Sequence, residues 1–287
     1  MFHRLLVCTD LQDGLQRLVQ FVPALAAGGM RQVVFLHVVP LREDLNIPKP
    51  DTEKVELAKA KLSSALQQVP AGIEVNIQVE SGKAIDAILR TAKTYQSDVI
   101  LMGSQSRNLL TEKLFGSTTI GLSQRIKTPL LTIRPQLMST FTSEELTLRC
   151  RHLFQSLLLP FDDSEPARYA AQQIKTMAET QPDGELRNCQ LCRVVSQGGR
   201  FQLSEQEEQK MVRETLEPIR NQLETAGLKT EISVRRGDPV TEVLQAAQET
   251  DISAIVLSSN NLNPFLGSIS SFSAELLRRS WHPVLFF

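Results

Sequence analysis

No segment of the 287-residue sequence comes near the roughly 20 consecutive apolar residues that a membrane-spanning helix needs. The apolar run near the N-terminus, Leu5 to Cys8, stops at Thr9-Asp10, so it is expected to be a first strand and not a signal peptide. Cysteine is scarce: four residues scattered along the chain point to a reducing cytoplasm. Net charge is nearly absent as well. A formal value of −1 gives no general attraction to nucleic acid or to an anionic membrane, which leaves only a local patch for such partners. No Gly-x4-Gly-Lys-(Ser/Thr) occurs, so a P-loop NTPase is not supported. The four histidines, His3, His37, His152 and His282, show no metal spacing and no assignable Ser/Asp partners. Cys189-x2-Cys192 lacks a second Cys/His pair, and residues three apart in a strand face opposite sides, so neither a zinc site nor a redox pair is inferred.

What the sequence does contain is itself, twice. Residues 71–103 lie over 226–258 without a gap, at a constant offset of 155 (226 minus 71). Ala71-Gly72 falls on Ala226-Gly227, Gly82 on Gly237, Ala92 on Ala247, and Val99-Ile100-Leu101-Met102 on Ala254-Ile255-Val256-Leu257. Eight of these 33 columns are identical, few enough to mark an old duplication in which the hydrophobic pattern is kept and the surfaces have diverged.

Each copy opens with an apolar run ending in acid, Leu5 to Asp10 and Leu157 to Asp162, without the alternation of a half-exposed strand. Helical segments follow at 13–27 and 164–179, then strands at 33–39 and 189–195, and helices at 52–68 and 204–226. Leu57, Leu62 and Leu66 form the expected buried stripe of the first of these, and Met211, Leu216, Ile219 and Leu223 that of the second. Third strands (73–80, 228–235), third helices (83–95, 238–250) and fourth strands (98–103, 253–258) lead through a long loop and a last helix to fifth strands beginning at Pro129 and Pro283. Alternating strands and helices predict an α/β fold of two tandem doubly wound five-stranded parallel sheets, with domains at 1–137 and 154–287 and a linker at 138–153. The Gly28-Gly29 pair is read as the end of helix one. In such sheets a ligand sits beyond the carboxyl ends of the strands where the order reverses, which selects Cys8 to Asp10, Val38 to Pro40, and Met102-Gly103 with its following loop.

In that loop Gly116-Ser117-Thr118 opens the next helix with small residues, hydroxyls and unpaired backbone N–H groups, an arrangement suited either to an anion or to simple N-capping. Asp10 after strand one, Leu36-His37-Val38-Val39 at strand two, Val79-x-x-Gly82 before helix three, Asp98 to Gly103 at strand four and Gly116-Ser117 together resemble the universal stress protein superfamily in tandem form, over nearly the whole chain. The resemblance implies a Rossmann-like, adenine nucleotide alpha hydrolase-like fold. Family members that bind ATP or AMP carry Gly-x2-Gly-x9-Gly-(Ser/Thr). On that basis Cys8, Thr9 and Asp10 would meet the nucleoside, Val38 the adenine, Met102 and Gly103 the ribose side, and Gly116, Ser117 and Thr118 the phosphates of ATP or AMP, with Mg as the companion ion.

Ser106 stands where the family has its second glycine. Either its side chain and φ preference weaken phosphate binding, or its hydroxyl donates to phosphate. The second copy departs further: Ser258-Ser259-Asn260-Asn261 replaces both glycines, Pro264 stiffens the loop, and counting back from Pro283 places Ser270-Ser271 at the helix start, with Phe272, Leu276 and Leu277 on one face. Asp162 survives there, as the remnant of a pocket, as part of one for another ligand, or as a turn acid beside Asp163-Ser164. Two classes of function follow. One is a stress or signalling module binding adenine nucleotide in the first copy and acting on an unidentified protein partner, with at most slow ATP hydrolysis and no catalytic residue evident. The other is a nucleotide-independent interaction protein. The apolar fifth strands predict an intramolecular pseudo-dimer built on those strands, with homodimerisation of the whole chain open.

Overall fold

The computed structural model describes residues 2–12, 14–42, 48–103, 122, 127–180, 185–195, 204–258 and 271–287, and the chain divides into two compact units, Phe2–Leu153 and Phe154–Phe287. In the first, strands β1 (Arg4–Cys8), β2 (Gln32–Val39), β3 (Glu74–Ser81), β4 (Val99–Gly103) and β5 (Leu130–Ile133) pair in parallel in the order β3-β2-β1-β4-β5. In the second, β6 (Ser156–Pro160), β7 (Asn188–Val195), β8 (Lys229–Arg236), β9 (Ala254–Leu257) and β10 (Val284–Phe286) repeat that order as β8-β7-β6-β9-β10. The first strand of each copy is therefore central, and its apolar residues are sealed on both faces: Leu5, Leu6, Leu157 and Leu158 are fully buried.

The helices follow the expected spans with three instructive differences. Helix one of the first unit is split into a 3-10 turn, Leu15–Gln20, and a short α1, Val22–Ala27, because Pro23 lacks the N–H that would continue the first piece. In α2 (Thr52–Leu62) the expected stripe is out of phase. Leu57 and Leu66 are exposed while Ala58, Leu62 and Ala65 are buried: Leu57, five residues before Leu62, falls off the face that Ala58 and Leu62 share, and the tightening to 3-10 at Ser63–Leu66 rotates Leu66 off the core. In the second unit Leu216, Ile219 and Leu223 are buried as the spacing predicts, on a helix running from Glu205 to Thr225. That helix opens into one π turn at Val212–Leu216, directly before Pro218, whose ring would clash with the carbonyl of a regular helix.

The segment expected to be a linker is folded. After α3 (Ala84–Thr94), the chain beyond β5 forms α4 (Pro135–Thr140) and α5 (Ser143–Arg151), both within the first unit. A capping box starts α5: Thr142 Oγ1 accepts from the Glu145 amide at 3.2 Å, and the Glu145 carboxylate accepts from the Thr142 amide at 2.7 Å. Leu146 and Cys150 are buried against the unit, and α5 passes so close to the end of α1 that a Cβ on Gly28 would stand 2.5 Å from the Arg151 carbonyl oxygen. Gly29, with φ 89°, supplies the left-handed residue that ends α1. Arg17 holds α4 from the other side, donating to the carbonyls of Met138 and, at 3.1 Å, Phe141. Among the described residues no helix is long and apolar enough to cross a membrane.

Candidate functional site

At the carboxyl edge of the first sheet β1 ends at Cys8, flanked by Leu36 of β2 and Met102 of β4. The chain then leaves the sheet through a tight turn. The Thr9 N–H donates to the Leu36 carbonyl at 3.0 Å, Thr9 Oγ1 accepts from the Leu11 amide at 3.0 Å, and Asp10 Oδ1 accepts from the Gln12 amide at 2.8 Å. Leu11 takes φ 62°, a left-handed conformation uncommon for a bulky residue, and so marks local strain. His37 Nδ1 lies 2.9 Å from the Thr9 carbonyl oxygen, which requires the proton on that nitrogen and ties β2 to the turn.

Among the described residues, the departure of β1 leaves a strand position open beside β2. Backbone groups of alternate residues face alternate neighbours, and Leu36 faces β1 through its bond to Thr9 while Val39 accepts from Gly82 beyond β3. Val38 therefore directs its N–H and C=O to the side that β1 has left, as an adjacent donor and acceptor at the edge of the site. Cys8, Thr9, Asp10, Val38, Met102 and Gly103 are thus brought to one edge of the sheet, at its switch point. Of these, Cys8, Thr9 and Met102 are buried and Asp10, Val38 and Gly103 are partly exposed. Ser106, Gly116, Ser117 and Thr118 lie outside the described residues.

The second unit repeats the turn. Asp162 Oδ1 accepts from the Ser164 amide at 3.1 Å and from its hydroxyl, and Asp163 takes φ 68° in the place of Leu11. Phe161 N–H donates to the Cys192 carbonyl at 2.9 Å, and an Arg193 guanidinium nitrogen stands 3.5 Å from the Phe161 carbonyl oxygen, where the first unit has His37. Asp162 thus acts as the turn acid that its neighbours suggest.

One substitution between the copies reshapes this edge. Pro160 occupies the place of Cys8. The Ser156 carbonyl accepts from Ser253, at the foot of β9, and Phe161 bonds across to β7, so by alternation residue 160 faces β9 with no N–H to offer. β1 and β4 stay in register through Cys8 and Met102, whereas β6 and β9 pair only at Leu157 with Ala254 and Leu158 with Ile255. The ladder stops there, and a cavity of about 400 Å³ lies at the carboxyl ends of the two strands, bounded by Leu159, Pro160, Val194, Val243, Val256 and Phe272 among others. Cys192 also borders it; burial pushes its thiol up to about 11 and that of Cys189 to about 12, which favours the protonated form of both at neutral pH. The break in the ladder had a sequence signal, a proline inside a central strand, normally an edge or bulge residue. The paired roles of His37 and Arg193 had no sequence signal, because they depend on which carbonyl each reaches.

Comparisons with known proteins agree with this architecture. The sequence profile described as the universal stress protein family matches residues 1–134 and again 153–287. Among solved structures, a universal stress protein from Archaeoglobus fulgidus DSM 4304 superposes with a TM-score of 0.65 at 20% identity, over 99% of this chain and 95% of that one. A putative universal stress protein from Pseudomonas aeruginosa UCBPP-PA14 gives a TM-score of 0.61 at 14% identity, over 100% and 93%. At such identities the likeness is one of fold. No curated protein matches the chain in sequence.

Proposed function

Since the chain belongs to the universal stress protein family, we propose that its first unit binds an adenine nucleotide, ATP or AMP, and that occupancy alters the affinity of the chain for a protein partner in a stress response. The observation that carries this reading is the vacated strand position beside Val38. A donor and an acceptor side by side on a strand edge match the amino and ring-nitrogen edge of adenine, and the partly exposed Asp10, in the turn that leaves β1 at the same sheet edge, would offer carboxylate oxygens to ribose hydroxyls. The phosphates would fall to Gly116, Ser117 and Thr118, and Mg would enter with a triphosphate as a counter-charge. Binding and not turnover is the expected activity, because on this reading Asp10 serves the nucleoside end and the sequence offers no evident general base for the phosphates.

Titration calorimetry of the full chain with ATP should give one site per chain, and small molecules released from freshly purified protein should include adenine nucleotide by mass spectrometry. Two sites of similar affinity, or none up to millimolar ATP, contradict it. In the latter case the nucleotide-independent interaction protein is favoured, and the exposed Leu57, Leu66 and Val69 beside and after α2 become the first surface to test.

A further inference from the structure

The cavity at the carboxyl ends of β6 and β9 belongs to the second unit, and its chemistry differs from that of the proposed nucleotide edge. One side of it is apolar: Leu159 and Val256 from the two strands, Ala170 from the helix Glu165–Glu179, Val243 from the helix Pro239–Glu249, and Phe272 from the helix Ser271–Arg279. At about 400 Å³ it is within the range of pockets that enclose a small organic molecule.

Two charged residues border it, Arg193 and Asp162. Their situations are unequal. Asp162 already caps its own turn through Ser164. Arg193 is half-buried, its Nε is buried without a hydrogen-bond partner, and its one hydrogen bond among the described residues is the long one to the Phe161 carbonyl at 3.5 Å. Arg168 pairs with Asp163, Arg236 with Glu208, and Arg235, whose Nε is likewise unpartnered, with Glu242 and Glu249, whereas among the described residues no carboxylate pairs with Arg193. What sets Arg193 apart is a positive charge at the cavity wall with no carboxylate paired to it and a buried donor left to be satisfied. The Val194 N–H faces the same space, by the alternation that directs Val38 in the first unit.

We propose that this cavity is a binding site for a small apolar monocarboxylate, its hydrocarbon or aryl body against the apolar wall of Leu159, Val243, Val256 and Phe272 and its carboxylate on Arg193 and the Val194 N–H. One guanidinium matches one negative charge. A phosphate dianion would bring a second charge toward Asp162, so a monoanion is preferred to a phosphorylated ligand. The site is independent of nucleotide binding by the first unit.

The test is calorimetric titration of the full chain with 3-phenylpropionate and with its neutral analogue 3-phenylpropan-1-ol, each repeated in the presence of ATP. The acid should bind at one site and at least about tenfold more tightly than the alcohol, as a charge-assisted hydrogen bond implies. Arg193→Met should abolish that preference and Arg193→Lys should keep part of it. Val243→Trp, which fills the void, should remove both ligands while leaving the ATP titration unchanged. Circular dichroism identifies any variant that fails to fold, and the acid-to-alcohol ratio on the wild-type chain tests the idea without variants. Equal affinity for acid and alcohol, survival of the preference in Arg193→Met, absence of binding at millimolar acid, or competitive displacement by ATP would each overturn the proposal, the last by making the cavity a nucleotide site.

Discussion

His37 and Thr9, 28 residues apart in sequence, are joined by a 2.9 Å hydrogen bond from the imidazole Nδ1–H to a backbone carbonyl, and the same carbonyl in the second unit is met by Arg193. The bond fixes the end of β1 just where the chain must turn through the strained Leu11. His37→Phe should therefore lower stability by about 1 kcal/mol and weaken ATP binding. Denaturant unfolding and titration of one variant measure both effects, and an unchanged ATP affinity would separate the turn from the nucleotide site.

Ser106→Gly decides between the two accounts of that residue. If serine is an obstacle, glycine should tighten ATP several-fold, corresponding to about 1 kcal/mol. If its hydroxyl donates to phosphate, ATP should weaken while adenosine is unaffected. If Gly116 opens a helix as its sequence context suggests, Gly116→Val should weaken ATP in either case, because a branched side chain there would block approach to the amides. No change with any ligand would remove the loop from the site.

Gly28→Ala is expected to cost about 1–3 kcal/mol, since its methyl would meet the carbonyls of Cys150 and Arg151 at 2.9 and 2.5 Å, and backbone cannot swing aside as a side chain does. Chemical denaturation provides the value. A neutral result would mean that α5 does not hold the position seen against α1.

Asp98 gives a pH-dependent test. Partial burial works to raise its carboxyl, but hydrogen bonds from the Arg4 guanidinium at 2.7 Å and from the His3 and Arg4 amides at 3.0 Å outweigh burial and hold it below the usual carboxylate range. A folded value below the unfolded one stabilises the fold above the unfolded pKa, and that contribution is lost as pH falls through the folded value. Asp98→Asn should thus cost about 2 kcal/mol at pH 7, with the gap to wild type closing below about pH 4. A gap constant down to pH 2 would show that the charge is not what matters.

Much of this architecture was legible in the sequence because it rests on periodicity and repetition. Buried strands such as Leu5 to Cys8 declare themselves as unbroken apolar runs, and the 155-residue offset fixed the second copy from the first. Phase was harder. Leu57 and Leu66 look like core of α2 beside Leu62, but the i, i+5 step from Leu57 to Leu62 turns Leu57 off the buried face, and no spacing foresees the 3-10 turn that displaces Leu66. The segment at 138–153 looked like a linker from its hydroxyl-rich start, although Thr142-x-x-Glu145 is a helix start signal. At the site, Cys8, Asp10, Val38 and Met102 could be grouped from the strand-end rule alone. The cavity beside Pro160 could not, since its walls come from three helices whose packing that rule does not address.

The packing of α4 on the 3-10 turn Leu15–Gln20 and of α5 on α1 has a practical consequence for anyone dissecting the chain. The match to the family stops at residue 134, and a fragment cut there would look complete by alignment. It would nonetheless leave Arg17 without the Met138 and Phe141 carbonyls and bare the surface that Leu146 and Cys150 cover. Insolubility of such a fragment would report the missing 17 residues up to Arg151 (151 minus 134), not an inability of the first copy to stand alone. A fair trial of its autonomy begins with a cut after Leu153.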